Sequence, residues 1–311
     1  MFSRRRLLAA GALVLMAPIA ASAQQARKVF RIGYLTVHSR SVDAALHGTL
    51  TFVTECLREL GWIEGQNFVL EARFAQDEKV SLSELAAQLV QAKPDVIMVE
   101  SAGNAAFLLQ QTKTIPIVVL TAGLLTVDEG VASMAKPGGN VTGMQIYSPE
   151  LMAKRLQLLK ELVPGLRRVA VLRGDNYPSR LLAVYREATD TAAAALNIGV
   201  RYVQFKNPDE LDPIFAEMVK EKDQALLAWG NPQLSVHKLR IFALAIQHRL
   251  PAIYESRSYA EGLIVYGARV DAVLREAASY VDRILKGAKP GDLPIGQPSV
   301  VLHSVCYLSF D

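Results

Sequence analysis

From residue 29 the chain alternates short apolar runs with amphipathic stretches, about one of each every 25 to 30 residues. Few folds accept such alternation. A short, continuously apolar run is a strand buried on both faces, so helices have to cover the sheet from both sides. The first round predicts a strand over 29–35 (VFRIGYL) and a helix over 43–60, with Leu46, Leu50, Val53, Leu57 and Leu60 on one face and Gly61 as its stop. A strand over 67–74 follows, then a helix opening at Ser81 with the Ser-x-x-Glu spacing of a capping box. A strand over 96–99, a helix over 105–111 and a strand over 115–120 complete the round. The second round predicts helices over 149–162, 179–196, 209–220 and 235–249, interleaved with strands over 168–172, 200–205, 225–229 and 252–254. A last apolar run, 263–266, leads into a helix over 271–285 that ends at Lys286-Gly287. The fold class expected is α/β, with two doubly wound units in tandem.

Residues 1–23 are a separate object. Arg4, Arg5 and Arg6 form a positive n-region, 7–17 an apolar h-region, and Ala21-Ser22-Ala23 a small-residue cleavage site. The apolar run is broken by Pro18 and is far shorter than the roughly 20 residues that span a bilayer, so an export signal is expected rather than an anchor. The run Ser3-Arg4-Arg5-Arg6-Leu7-Leu8 also fits the twin-arginine pattern, which leaves both the Sec and the twin-arginine routes open. No cysteine follows the h-region, which argues against a lipoprotein and for a free periplasmic protein. Of the net charge of +4, the leader's arginines supply all but one, so no basic nucleic-acid footprint remains. Cys56 and Cys306 lie far apart and make no disulfide framework, so a chain that is 51% apolar must stand on its core.

Between the two rounds lies KPGGNVTG, residues 136–143. Gly138 and Gly143 have the spacing of a phosphate-binding loop, but Met144 and Gln145 stand where that loop needs Lys and then Ser or Thr. The position suggests a backbone role. Gly138, Gly139 and Gly143 are expected to form a hinge, where the chain turns into a strand that crosses between the two units. Asn140-Val141-Thr142 also has the form of a glycosylation acceptor, which matters only where the export route meets a glycosyltransferase.

No catalytic constellation is visible. His38, His47, His237, His248 and His303 have no metal-ligand spacing, and neither a G-x-S-x-G elbow nor a G-x-G-x-x-G loop occurs. Binding is therefore expected, not turnover, with no metal and no cofactor. A repressor-like sensor would need a helix-turn-helix ahead of residue 29, where the chain carries the leader. In open α/β sheets ligands bind beyond the carboxyl ends of the strands. That rule selects Thr36, Ser101, Gly103, Asn104 and Thr121 in the first unit, and Arg173, Asn176, Tyr177, Asn231, Tyr254 and Arg257 in the second. Arg173 and Arg257 could fork onto a carboxylate. The same residue types are also ordinary helix caps and turn formers, so each has a structural alternative.

Eight stretches carry a resemblance: RIGYL (31–35), LRELGWIEGQNFVLEAR (57–73), ELAAQLVQAKPDVIMV (84–99), TIPIVVL (114–120), VASMAKPGGNVTGM (131–144), KRLQLLKELVPGLRRVAVL (154–172), HRLPAIYESRSYAEGLIVYG (248–267) and YVDRILKGAKPGDLPIGQP (280–298). With these the chain resembles the ABC-transporter substrate-binding protein family that includes tryptophan- and tyrosine-binding lipoproteins, a branch of the type I periplasmic binding proteins. The resemblance implies two Rossmann-like lobes joined by hinge strands, a ligand held between them, and delivery to an ABC permease in the inner membrane. It suggests an aromatic or branched amino acid, or a related carboxylate, bound by a monomer that takes no nucleic acid. The expected division is a signal over 1–23, one lobe from 28–140 plus 264–290, and the other from 141–263. An exported enzyme on the same fold and a sensor feeding a membrane receptor remain as alternatives.

Three departures bear on this. The family has Asp-Pro where this chain reads Gly123-Leu124-Leu125-Thr126, and a Trp-Asn or similar pair where it reads Arg173-Gly174. Both loops face the expected cleft, so ligand identity is not inherited. After Pro298 the family continues with a strand and a helix, whereas residues 299–311 read SVVLHSVCYLSFD to the end, a departure expected to cost the last crossover.

Overall fold

The structure, a computed structural model, describes residues 28–45, 48–123, 125, 130–146, 149–175, 177, 179–255, 264–297 and 301–305. The expected signal and the candidates Asn176 and Arg257 lie outside the described residues. The first sheet contains Phe30–Thr36 (β1), Phe68–Phe74 (β2), Val96–Val99 (β3), Ile117–Ala122 (β4) and Val141–Gln145 (β5), in the order β2-β1-β3-β4-β5 and all parallel. The second contains Arg168–Gly174 (β6), Gly199–Phe205 (β7), Ala225–Ala228 (β8), Ala252–Tyr254 (β9), Ile264–Ala268 (β10) and Val301–Val305 (β11), in the order β11-β10-β9-β8-β6-β7. Only β11 there is antiparallel, laid against β10.

Both faces of each sheet are covered, as continuous apolar strands require. In the first, Ile32, Tyr34, Met98, Val118 and Leu120 pack under Thr49–Glu59 (α2) and Val270–Leu285 (α11). The alternate residues Leu35, Ile97, Val99, Ile117 and Val119 pack under Leu82–Gln91 (α4) and Ala102–Gln111 (α5). In the second, Val169, Val171 and Leu227 face Pro149–Leu162 (α6) and Ser179–Leu196 (α7). Ala170, Leu172 and Leu226 face Leu211–Lys220 (α8) and Lys238–Gln247 (α10). Trp62 ties the first layer together, its indole Nε1 donating to Asp282 of α11 at 2.8 Å. Among the described residues no helix is long and apolar enough to cross a membrane.

Several boundaries differ from expectation for local reasons. The helix expected over 43–60 is two, Arg40–Ala45 (α1) and α2, because Gly48 sits between them at φ 60 in the left-handed region. That over 235–249 is also two, Pro232–Val236 (α9) and α10, separated at His237. Ala75–Glu78 (α3) is a single turn not foreseen. Ser81 caps α4 as expected, accepting from the Glu84 backbone N–H at 3.2 Å.

The larger correction concerns the lobe boundaries. β5 belongs to the first sheet and β10 to the second, so the chain crosses between units after Gln145 and again around Arg269, not before 141 or 264. Gly138 and Gly139 consequently precede β5, at the end of the first sheet away from the crossing. Gly138 takes φ 79, in the left-handed region, and Gly139 serves close backbone packing: a Cβ on Gly139 would meet the Gly130 carbonyl oxygen at 2.9 Å, and one on Gly291 would meet that of Gly139 at 2.8 Å. Asn140 is buried and donates to the Ile115 carbonyl, which removes it as a glycan acceptor. After α11 the chain returns along the first sheet, where Gly296 donates to the Gly143 carbonyl at 2.9 Å and accepts from the Gln145 N–H at 2.8 Å. It then reappears as β11 in the second sheet, so the third crossing that the departure at 299–311 was expected to remove is present.

Candidate functional site

The order of each sheet picks out where a crevice opens. In the first, the chain leaves β1 for β2 on one side and returns to β3 on the other, so the helices diverge at the β1/β3 carboxyl ends. In the second the same reversal falls between β6 and β8. The two units approach at this level: a Cβ on Gly123, after β4, would lie 3.2 Å from Leu181 at the start of α7.

At the first crevice the carboxylate of Glu100, the residue after β3, is the centre. Tyr34 donates its phenol to Glu100 Oε1 at 2.9 Å, Thr36 its hydroxyl to Oε2 at 2.6 Å, and His38 Nε2 stands 3.7 Å from Oε2. The Tyr34 oxygen also lies 3.2 Å from buried Asp43. Burial, then the charges of Glu100 and Asp43, hold the Tyr34 phenol far above the ordinary tyrosine range, so it serves as a neutral donor. Thr121 fixes the Glu100 backbone, donating both its N–H and its hydroxyl to that carbonyl. Ser101 caps α5 and accepts from Asn104 N–H at 3.3 Å, with Gly103 exposed beside them. Thr36, Ser101, Gly103, Asn104 and Thr121 are thus gathered at one crevice, where the strand-end rule placed them. Glu100 was missed, although it directly precedes Ser101; a lone carboxylate reads in sequence as a solvated surface group.

At the second crevice the expected residues separate. Tyr177 stays, donating its hydroxyl to the Gly230 carbonyl at 2.7 Å and stacking edge-on with Tyr185 and tilted against Trp229. Asn231 caps α9, accepting from Leu234 N–H at 2.7 Å. The Arg173 guanidinium donates to the Gly174 carbonyl, at the end of β6, and to Gln204 of β7. Tyr254 is 1% exposed and packs edge-on against Phe242 in the core, because the inward-facing turn of β9 falls on it.

Behind this crevice lies an ion pair that sequence reasoning did not identify. Glu255 accepts from Arg155 of α6 at 3.1 Å, from the Gly230 N–H at 3.0 Å and from Tyr185, while Arg155 Nε donates to the Tyr266 carbonyl of β10 at 2.8 Å. Burial pushes the Glu255 carboxyl up, against the pull of Arg155 and the Gly230 N–H. Nothing in KRLQLLKEL marks Arg155 as buried, since an arginine within an amphipathic helix reads as its wet face. Among the described residues no group of three or more His, Cys, Asp or Glu is placed to hold a metal ion. The arrangement offers polar and aromatic walls rather than a reacting centre.

Comparison with known proteins agrees with this geometry. The family described as ABC transporter substrate binding protein matches residues 36–303. A tyrosine-binding protein of Clostridioides difficile (strain R20291) is 26% identical over 273 residues, or 86% of this chain and 76% of that one. A conserved domain protein of Vibrio cholerae has the same fold at TM-score 0.75 and 22% identity, over 90% of this chain and 92% of the other. An ABC domain from Streptococcus pneumonia in complex with L-Trp aligns at TM-score 0.73 and 19% identity, over 87% of this chain and 89% of the other. Of these, one is named for binding tyrosine and another holds L-Trp. The family match runs from the end of β1 into β11 and takes in both crevices, and the chain belongs to the ABC transporter substrate-binding protein family.

Proposed function

We propose that the protein is the periplasmic solute-binding component of an ABC importer, closing as a monomer on a small organic ligand and handing it to an inner-membrane permease. The observation that carries this is the pair of switch-point crevices, one per unit, brought level by the Gly123–Leu181 approach and joined by crossings beside β5, β10 and β11. Family membership supports the importer, and the leader supports export. The ligand class is an aromatic or branched amino acid or a related carboxylate. It is supported by the relatives that bind tyrosine and tryptophan and by the half-buried Tyr177, which is backed by buried Tyr185 and Trp229. Thr36, Ser101, Gly103, Thr121 and Tyr177 line the cleft in this reading, and the hinge is formed where the chain passes between the units after β5, after β10 and before β11.

A thermal-shift screen of the mature protein with amino acids, their carboxylate relatives, sugars and metal ions tests it. A ligand at 100 times its Kd adds about 2.7 kcal/mol of stability and a clear rise in Tm. Stabilisation by sugars or metal ions alone would refute the ligand class. Consumption of the ligand at catalytic rates would replace the binding protein by an exported enzyme.

A further inference from the structure

We propose that Glu100 is the receptor for a protonated nitrogen on the ligand, so that a cationic amine, rather than a carboxylate, is the group the first lobe demands. The inference rests on the cleft being the ligand site and narrows what that site accepts. Glu100 stands at the β1/β3 switch point, where the helices diverge and a ligand enters. Its side chain is 14% exposed, so it faces the crevice without being solvated like a surface acid. A carboxylate has about four acceptor positions; Tyr34 and Thr36 occupy one on each oxygen, which fixes the plane of the group and leaves the outer lone pairs for a further donor. Thr121, holding the Glu100 carbonyl from β4, makes the position rigid.

Charge balance points the same way. Closing a cleft over a carboxylate removes it from water, which is costly unless an opposite charge goes in with it. On the facing wall the charge of Arg155 is already taken by Glu255, and Arg173 is held against β6 and β7 by the Gly174 carbonyl and Gln204, away from any bond to Glu100. His38 is the near neighbour at 3.7 Å from Glu100 Oε2, beyond hydrogen-bond length, and its place beside the acid is one a ligand ammonium can share or take over.

The test uses two trios of probes that share a side chain and differ in the charged group. One is L-tyrosine, tyramine and 3-(4-hydroxyphenyl)propionate; the other is L-leucine, isoamylamine and 4-methylpentanoate. Calorimetric titration of the wild-type mature protein should find binding by amine-bearing members, with the propionate or pentanoate at least about a hundredfold weaker than the parent amino acid. Glu100→Gln, which keeps the shape and one acceptor, should weaken the amine-bearing probes by at least about tenfold and leave the amine-free acids where they were. Amine-free acids that bind as well as the amino acids would overturn the inference while leaving a binding protein in place, as would a Glu100→Gln loss equal across each trio. If Glu100→Gln fails to fold, the wild-type ranking decides alone. Binding by none of the six would instead sink the proposed ligand class, and this inference with it.

Discussion

Gly143 shows how a single position can be conspicuous in a sequence for the wrong reason. It lies inside β5 at φ 145, and a Cβ there would stand 2.1 Å from the carbonyl oxygen and 2.6 Å from the nitrogen of Val119 in β4, where the ladder shifts register. Gly143→Ala is therefore expected to cost about 3 kcal/mol, through backbone strain and forced separation of the two strands. Gly165→Ala, at φ 74 with nothing within 4 Å, should cost only about 1 kcal/mol. Urea unfolding of the two variants separates the effects, and equal losses would show that conformation alone, without the Val119 contact, sets the cost. The sequence makes plain that KPGGNVTG needs its glycines. It does not reveal what they approach, because Gly130, Val119 and Gly291 come to them only through the fold. The same limit hid Glu100, whose partners Tyr34 and Thr36 arrive from another strand.

Secondary elements were the most legible scale, because burial on both faces writes itself as continuous apolar runs such as VIMV in β3 and ALLA in β8. Their ends were less so: Gly48 and His237 each divide a periodic stretch that hydrophobic spacing alone carries straight through. What spacing could not indicate is the joint between elements made by Arg155, which links α6 to Glu255 just after β9 and to Tyr266 in the middle of β10. Arg155→Met leaves Glu255 buried without its cation and is expected to destabilise the fold by about 3–5 kcal/mol. Adding Glu255→Gln should recover much of that loss, since it removes the unpaired charge. Chemical denaturation of both single variants and the double variant measures the coupling; independent, additive losses would mean that the pair carries no mutual interaction.

For the whole molecule, the two-unit architecture was readable from the doubled alternation, but the path between units was not. A strand that crosses looks like any other, so β5 and β10 were assigned to the wrong side, and β11 was not foreseen because VLHSV differs from the strand and helix expected after Pro298, although the family match runs to residue 303. Ending the chain after Gln297 removes β11 and exposes β10 as an open edge. That form should melt at a lower temperature and self-associate on size-exclusion chromatography, whereas a monomer with unchanged Tm would mean that β11 contributes nothing to the second sheet. The return of α11 to the first sheet also sets an order in time. The second sheet has its five parallel strands once residue 268 has been made, whereas the first keeps one apolar face partly bare until Val273, Leu274, Val281 and Ile284 arrive. The half of the protein that leaves the ribosome first thus cannot finish folding until α11 has been made, and until then it offers a holding chaperone an uncovered apolar face.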